Sequence, residues 1–115
     1  MIFSKLLGKL KIEFIMLLGN EIKSLRDEQG ILQRQVAAYL EIDTPMFSKI
    51  ERGDRRAKRS QVIQIATYFK VDEKEMLTHW LADKILDALE DEDELKLNAI
   101  KIAEMEINNE RNEQH

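Results

Sequence analysis

The densest concentration of positive charge lies in the stretch KIERGDRRAKR, from Lys49 to Arg59. It holds six of the chain's 18 basic residues and two acidic ones, Glu51 and Asp54, so its local net charge is +4. The whole chain of 115 residues carries a formal net charge of −4. Clustered basic side chains suit a nucleic-acid backbone, because neutralising phosphates releases condensed counterions. An isolated loop of this kind is more simply interpreted as a solvated run of charge, so the neighbouring elements must decide between the two.

Other side-chain chemistry is sparse. The chain has no cysteine, which excludes disulfides, thiol chemistry and zinc sites of the Cys type. Its two histidines, His79 and His115, are far apart in sequence, and we find no Ser-His-Asp set or glycine-rich phosphate loop. The acidic run 91–94 lacks the glycine and the spaced oxygen ligands of a calcium loop. We therefore predict no enzyme activity, no cofactor and no metal site.

The elements around the basic stretch are predicted to be helices, because apolar residues recur there at helical spacing. The predicted helices cover 18–29, 33–40, 45–52, 61–69, 72 to about 90, and about 95–107. Gly30 and Gly53 are helix stop signals. The predicted N-caps are Thr44 before Pro45, Ser60, and Asp72. Helices 33–40 and 45–52, joined by the turn EIDT, have the order of a helix-turn-helix unit, which places its second helix in the major groove of DNA.

The residues from Gly30 to Leu77, GILQRQVAAYLEIDTPMFSKIERGDRRAKRSQVIQIATYFKVDEKEML, resemble the Cro/cI-like helix-turn-helix family, also called the XRE family. The resemblance covers about residues 18–77. It rests on Gln33 opening a helix, Ala37 within it, Ile42 in the turn and the SKIERG stretch. It implies an all-α fold, a five-helix lambda-repressor-like domain with extra C-terminal helices. We assign residues 17–78 to this DNA-binding domain, 1–16 to an N-terminal extension and 79–115 to an acidic helical extension.

The resemblance also implies residue roles. The positions that match base-contacting residues are Thr44, Pro45, Met46, Ser48 and Lys49. The positions that match phosphate-contacting residues are Gln33, Arg52, Arg55, Arg56, Lys58 and Arg59. Arg26 and Glu51 match a structural ion pair. The chain departs from the family pattern at Leu32, where a Ser or Thr cap is usual, at Glu41, where glycine is common, and at Pro45, which removes an amide.

The second part of the chain is acidic. Residues 72–115 carry 5 basic and 14 acidic residues, whereas residues 1–71 carry 13 basic and 8 acidic ones. Its apolar residues exceed what a small core needs, and exposed apolar stripes usually indicate a partner. The surface predicted for dimerisation or a partner protein comprises Trp80, Ile85, Leu86, Leu89, Ile100 and Ile107.

Residues 1–16 fit two patterns. Phe3, Leu7 and Phe14 recur at helical spacing, while Leu10, Ile12 and Phe14 alternate as in a strand. Lys and Glu residues interrupt the apolar run, which favours neither a signal peptide nor a membrane span. The segment is interpreted either as an appended stretch or as an arm that binds a partner.

These observations predict a cytoplasmic, nucleoid-associated regulator that binds double-stranded DNA as a homodimer and represses transcription. An alternative is the antitoxin of a toxin–antitoxin pair, or a restriction–modification controller, that binds a protein through its C-terminal helices. A protein-interaction adaptor with residual DNA affinity is a further alternative.

Overall fold

A computed structural model of the chain describes residues 17–113, and this part contains six α-helices and no β-strand. The helices are α1 (Leu17–Gln29), α2 (Gln33–Leu40), α3 (Thr44–Arg52), α4 (Arg59–Phe69), α5 (Glu73–Ala88) and α6 (Lys96–Glu113). The prediction of an all-α fold is confirmed. The two patterns considered for residues 1–16 fall outside the described residues.

The chain divides into two compact units, with the boundary between Ile85 and Leu86. In the first unit, α3 packs against α1 and α2, and α2 also packs against α4. The shared core is built from the apolar faces of α1 to α5. Its largest fully buried side chains are Ile22, Val36, Phe47, Val62, Ile65 and Met76. Two neighbouring helices therefore fix the position of α3.

The start of α3 differs from the prediction by one residue. Asp43, not Thr44, is the N-cap, and its Oδ1 accepts a hydrogen bond from the Met46 amide at 2.7 Å. Thr44 and Pro45 are then the first two helical residues, where a missing proline amide sacrifices no intrahelical bond. The predicted Thr44 cap was wrong because Pro45 fits either of these positions, while the Asp43 carboxylate is the stronger cap.

Two other helices start without a side-chain cap at the N-cap residue. Leu32 precedes α2, and its amide donates to Gln35 Oε1 at 2.7 Å. Lys58 precedes α4, and its amide donates to Gln61 Oε1 at 2.9 Å. In both cases the glutamine three residues later satisfies the N-cap amide. The predicted Ser60 cap was wrong, since α4 already begins at Arg59, whereas Asp72 does cap α5 by accepting from the Lys74 amide at 3.0 Å.

The turn inside the helix-turn-helix requires a left-handed residue. Glu41 follows α2 with φ 58° and donates its amide to the Ala37 and Ala38 carbonyls. Lys70 ends α4 in the same way with φ 59°. Glycine adopts this conformation without steric cost, whereas other L-residues do not. The departure from the family pattern at Glu41 is therefore a site of backbone strain.

The second unit consists of the end of α5, a turn and α6. Lys96 begins α6, and its Nζ pairs with Asp93 Oδ1 at 2.9 Å across the turn. Helix α6 extends to Glu113, several residues beyond the predicted end near 107. None of the described helices is both long and apolar enough to cross a membrane.

Candidate nucleic-acid interface

Helix α3 has one buried face and one face open to solvent. Phe47, Ile50 and Glu51 form the buried face. Of the five residues predicted to contact bases, Thr44, Pro45 and Lys49 are exposed and Ser48 is half-buried. Met46 is also half-buried, and it packs against the core. The open face of α3 therefore presents the hydroxyl groups of Thr44 and Ser48, the ring of Pro45 and the cation of Lys49.

Arg52 lies at the end of this open face and is held in place. Its Nη1 donates to Ser48 Oγ at 3.1 Å, and its Nε donates to Asp54 Oδ2 at 3.0 Å. The Arg52 and Asp54 side chains are 58% and 60% exposed, so water screens their ion pair and makes it weak. Arg52 is thus oriented along α3 by two contacts, of which the ion pair with Asp54 contributes little to stability.

The basic loop, residues 53–58, leaves α3 through a sharp reversal. Gly53 has φ 83°, and its amide bonds to the Ile50 carbonyl. The amides of Asp54 and Arg55 both donate to the Lys49 carbonyl, at 2.9 Å and 3.2 Å. The four basic side chains after this reversal are exposed: Arg55, Arg56, Lys58 and Arg59. The backbone of the loop is therefore tied to α3, while its charges face solvent.

Trp80 fixes the far side of the basic loop. Ala57 is only 3% exposed, and its carbonyl accepts a hydrogen bond from Trp80 Nε1 at 2.8 Å. Trp80 is itself 6% exposed, and Lys84 Nζ lies 3.7 Å from its ring centre. The assignment of Trp80 to a partner surface was wrong, because its nearness in sequence to Ile85 cannot show that a loop covers it.

The other residues predicted for the partner surface divide into two groups. Ile85, Ile100 and Ile107 are exposed, at 54%, 38% and 58%. Leu86 and Leu89 are half-buried.

Glu51 joins three helices at the back of α3. Arg26 from α1 forms two hydrogen bonds with it, from Nε to Oε2 at 2.8 Å and from Nη2 to Oε1 at 2.6 Å. The side chains of Arg26 and Glu51 are 12% and 6% exposed. The hydrogen bond to Glu51 raises the pKa of the Arg26 guanidinium, an effect that outweighs the opposing effect of burial. The ion pair implied by the family resemblance is present.

Gln33 and Ile31 complete this network. Gln33, at the start of α2, donates from Nε2 to Glu51 Oε1 at 3.3 Å, and Arg26 Nη1 donates to the Ile31 carbonyl at 3.1 Å. Gln33 was predicted to contact phosphate. In the structure it is half-buried and turned towards Glu51. One carboxylate therefore connects α1, α2 and α3.

Gly19 allows α1 and α3 to approach closely. A Cβ atom at this position would lie 2.0 Å from the Glu51 carbonyl oxygen, far inside van der Waals contact. Gly19 was not among the predicted residues. The available signal was a single glycine inside an otherwise regular helical pattern, which often marks a close packing contact.

Helix α5 also anchors α1 through residues that the sequence analysis missed. Asp83 accepts hydrogen bonds from the Leu17 and Leu18 amides at 2.9 Å and 3.0 Å. His79 Nδ1 lies 2.6 Å from Glu21 Oε2. Asp83 thus supplies the N-terminus of α1 with a carboxylate cap from a distant part of the sequence. No local pattern could have indicated such a cap.

These contacts define an all-α protein in which two short helices, α2 and α3, meet at a tight turn and three further helices hold them. A family model described as a helix-turn-helix domain matches residues 17–79, more than half of the chain. The chain belongs to this helix-turn-helix family. No curated protein and no solved structure matches it.

Proposed function

We propose that the protein is a sequence-specific DNA-binding transcriptional regulator. Helix α3 would lie in the major groove, and the basic loop would contact the phosphates beside it. One observation carries the proposal: the open face of α3 runs directly into a cationic loop whose backbone is fixed by Lys49 at one end and Trp80 at the other. Such preorganisation lowers the entropic cost of ordering the loop on DNA.

The side chains on α3 suit particular base edges. Lys49 can donate to O6 or N7 of guanine, and Ser48 can donate to or accept from several bases. The methyl group of Thr44 and the ring of Pro45 offer apolar contact to a thymine methyl group. Arg52, Arg55, Arg56, Lys58 and Arg59 are assigned to phosphates.

The regulator is proposed to act as a homodimeric repressor that covers a promoter. Two-fold proteins of this kind bind two half-sites about 34 Å apart, so that a palindromic site mirrors the protein dimer. Exposed apolar residues in the second unit, such as Ile100 and Ile107, favour self-association. Repression follows if the bound dimer excludes polymerase from the promoter.

An antitoxin or restriction–modification controller remains the second candidate. The observation that favours it is the combination of acidic charge and exposed apolar side chains in the second unit, which suits a basic protein partner. Purification of the untagged native complex distinguishes the candidates, because an antitoxin retains a small basic protein in stoichiometric amount.

Selection of bound duplexes from a random DNA pool near physiological salt tests the main proposal. An enriched inverted repeat with half-sites about one helical turn apart is the expected result. Lys49→Ala should then lose preference at defined base positions, and Lys74→Ala, which removes a cation from α5, should behave like the wild type. Binding without any enriched sequence would contradict specific recognition.

A further inference from the structure

Helix α6 exposes all of its large apolar side chains. Ile100 and Ile107, which share one side of the helix, are 38% and 58% exposed, and Leu97, Ile102 and Met105 on its other sides are also open to solvent. A helix of 18 residues is about 27 Å long. Most of the stability of a helix in a protein comes from packing of its apolar face rather than from helix propensity. The uncovered apolar surface therefore indicates a partner for α6.

One face of α6 has the spacing of a two-helix seam. Lys96, Ile100, Ala103, Ile107 and Glu110 follow one another at intervals of four, three, four and three residues. This alternation keeps one stripe of a helix against a partner helix over its whole length. The middle position, Ala103, is exposed and small, which permits two helices to approach closely at that point.

The charges along α6 are complementary to those of a second, reversed copy. Residues 96–103 contain two basic residues, Lys96 and Lys101, and no acidic residue. Residues 104–112 contain three acidic residues and one basic residue, a net charge of −2. Two copies in antiparallel orientation bring each basic half against an acidic half, whereas parallel copies bring like charges together.

We propose that α6 pairs with α6 of a second copy of the chain, antiparallel, with the two-fold axis at Ala103. Each Ile100 then packs beside Ile107 of the partner subunit, and Lys101 lies near Glu104 and Glu106 of the partner subunit. Lys96 faces Glu110 of the partner subunit at the rim, where it also holds Asp93 of its own chain. The pairing is isologous, as two-fold dimers require.

This proposal rests on the homodimer in the proposed function and assigns it a surface and an orientation. Its test contains no DNA, so failure of the pairing is distinguishable from failure of DNA recognition.

Single cysteines report the geometry directly, because the natural chain contains none. Three full-length variants are compared under mild oxidation: Ala103→Cys, Ile107→Cys and Asn98→Cys. In the antiparallel pair the two copies of residue 103 meet at the axis. The two copies of residue 107 are separated by about 12 Å along the helices, too far for a disulfide. Residue 98 lies on the opposite side of α6 from the seam and serves as the matched control.

The expected result is a wild-type dimer in sedimentation, with most Ala103→Cys chains linked and the other two variants at background. Equal linking of Ala103→Cys and Ile107→Cys would indicate parallel helices and overturn the proposal. A dimer in which none of the variants links would place the interface elsewhere. A wild-type monomer would also overturn it.

Discussion

At the scale of single residues, the Glu51 carboxylate on α3 holds α1 and α2 through its bonds with Arg26 and Gln33. We predict that Arg26→Ala lowers the free energy of unfolding by about 3–5 kcal/mol, because it leaves a buried carboxylate without its charged partner. Urea denaturation followed by circular dichroism measures the loss.

Two further variants give this prediction a control. Replacing both partners by methionine should recover much of the lost stability, since no unpaired charge then remains buried. Asp54→Ala breaks the exposed pair with Arg52 and should change the free energy of unfolding by less than about 0.5 kcal/mol. If Arg26→Ala lowered the free energy of unfolding as little as Asp54→Ala does, the Glu51 carboxylate would not be what holds the three helices together.

Glu41 is strained in the turn between α2 and α3. Its φ of 58° belongs to the left-handed region, where a Cβ atom is unfavourable. We predict that Glu41→Gly raises the free energy of unfolding by about 0.5–1 kcal/mol, the relief of strain less the extra entropy of the unfolded glycine chain.

The control for this variant is Glu28→Gly, inside α1. The same substitution there should lower the free energy of unfolding by about 1 kcal/mol, because no left-handed residue is required within a helix. Thermal and urea unfolding of both variants give the comparison, and equal destabilisation by the two would argue against strain at residue 41.

At the scale of elements, the separation of α1 and α3 depends on Gly19. We predict that Gly19→Ala costs at least about 2 kcal/mol of stability and weakens DNA binding, because the new methyl group must displace the backbone of the helix that carries Lys49. Ser24→Ala changes an exposed residue on the same helix, and its free energy of unfolding should stay within about 0.5 kcal/mol of the wild-type value. Urea unfolding and fluorescence anisotropy with a labelled operator measure the two effects.

The link between α5 and the basic loop depends on one indole group. Trp80→Phe keeps an aromatic ring but removes the donor to the Ala57 carbonyl. We predict a loss of about 1–2 kcal/mol in unfolding free energy, with a several-fold loss of DNA affinity as the loop becomes less ordered.

Leu81→Phe provides the comparison for the Trp80 variant, because it places an aromatic ring at an exposed position on the same helix. Trp80→Phe could lose stability and yet bind DNA with unchanged affinity. That result would show that the hydrogen bond to Ala57 does not order the basic loop for DNA binding.

The elements were more predictable than the contacts between them. Helical periodicity and glycine stops located α1 to α5 to within a few residues, because these patterns are local. The N-cap at Asp43 was missed by one residue, since Thr44 and Asp43 compete for the same role. Trp80 and Asp83 could not be placed, because their partners, Ala57 and the Leu17 amide, are distant in sequence. The family resemblance supplied the Arg26–Glu51 pair, which no local pattern indicates.

At the scale of the whole molecule, the salt dependence of DNA affinity can be predicted from the charge of the protein and its proposed two-fold symmetry. The logarithm of DNA affinity falls with the logarithm of salt concentration, with a slope of about −0.9 for each phosphate neutralised. If the proposed dimer contacts phosphates with two copies of Arg55, Arg55→Ala should reduce the magnitude of this slope by about 1.8. Lys74→Ala on α5 should leave the slope unchanged.

The same measurement in a dimer-breaking background separates the two parts of the mechanism. Ile100→Asp places a charge in the proposed α6 seam and should yield a monomer that binds a single half-site. In that background, Arg55→Ala should reduce the slope by only about 0.9, because each bound protein then carries one copy of the residue. Titrations of a labelled operator between about 50 and 300 mM KCl give both slopes. An unchanged slope in both backgrounds would remove Arg55 from the phosphate contacts, whereas a reduction of about 0.9 in both would retain the contact and exclude two-fold binding.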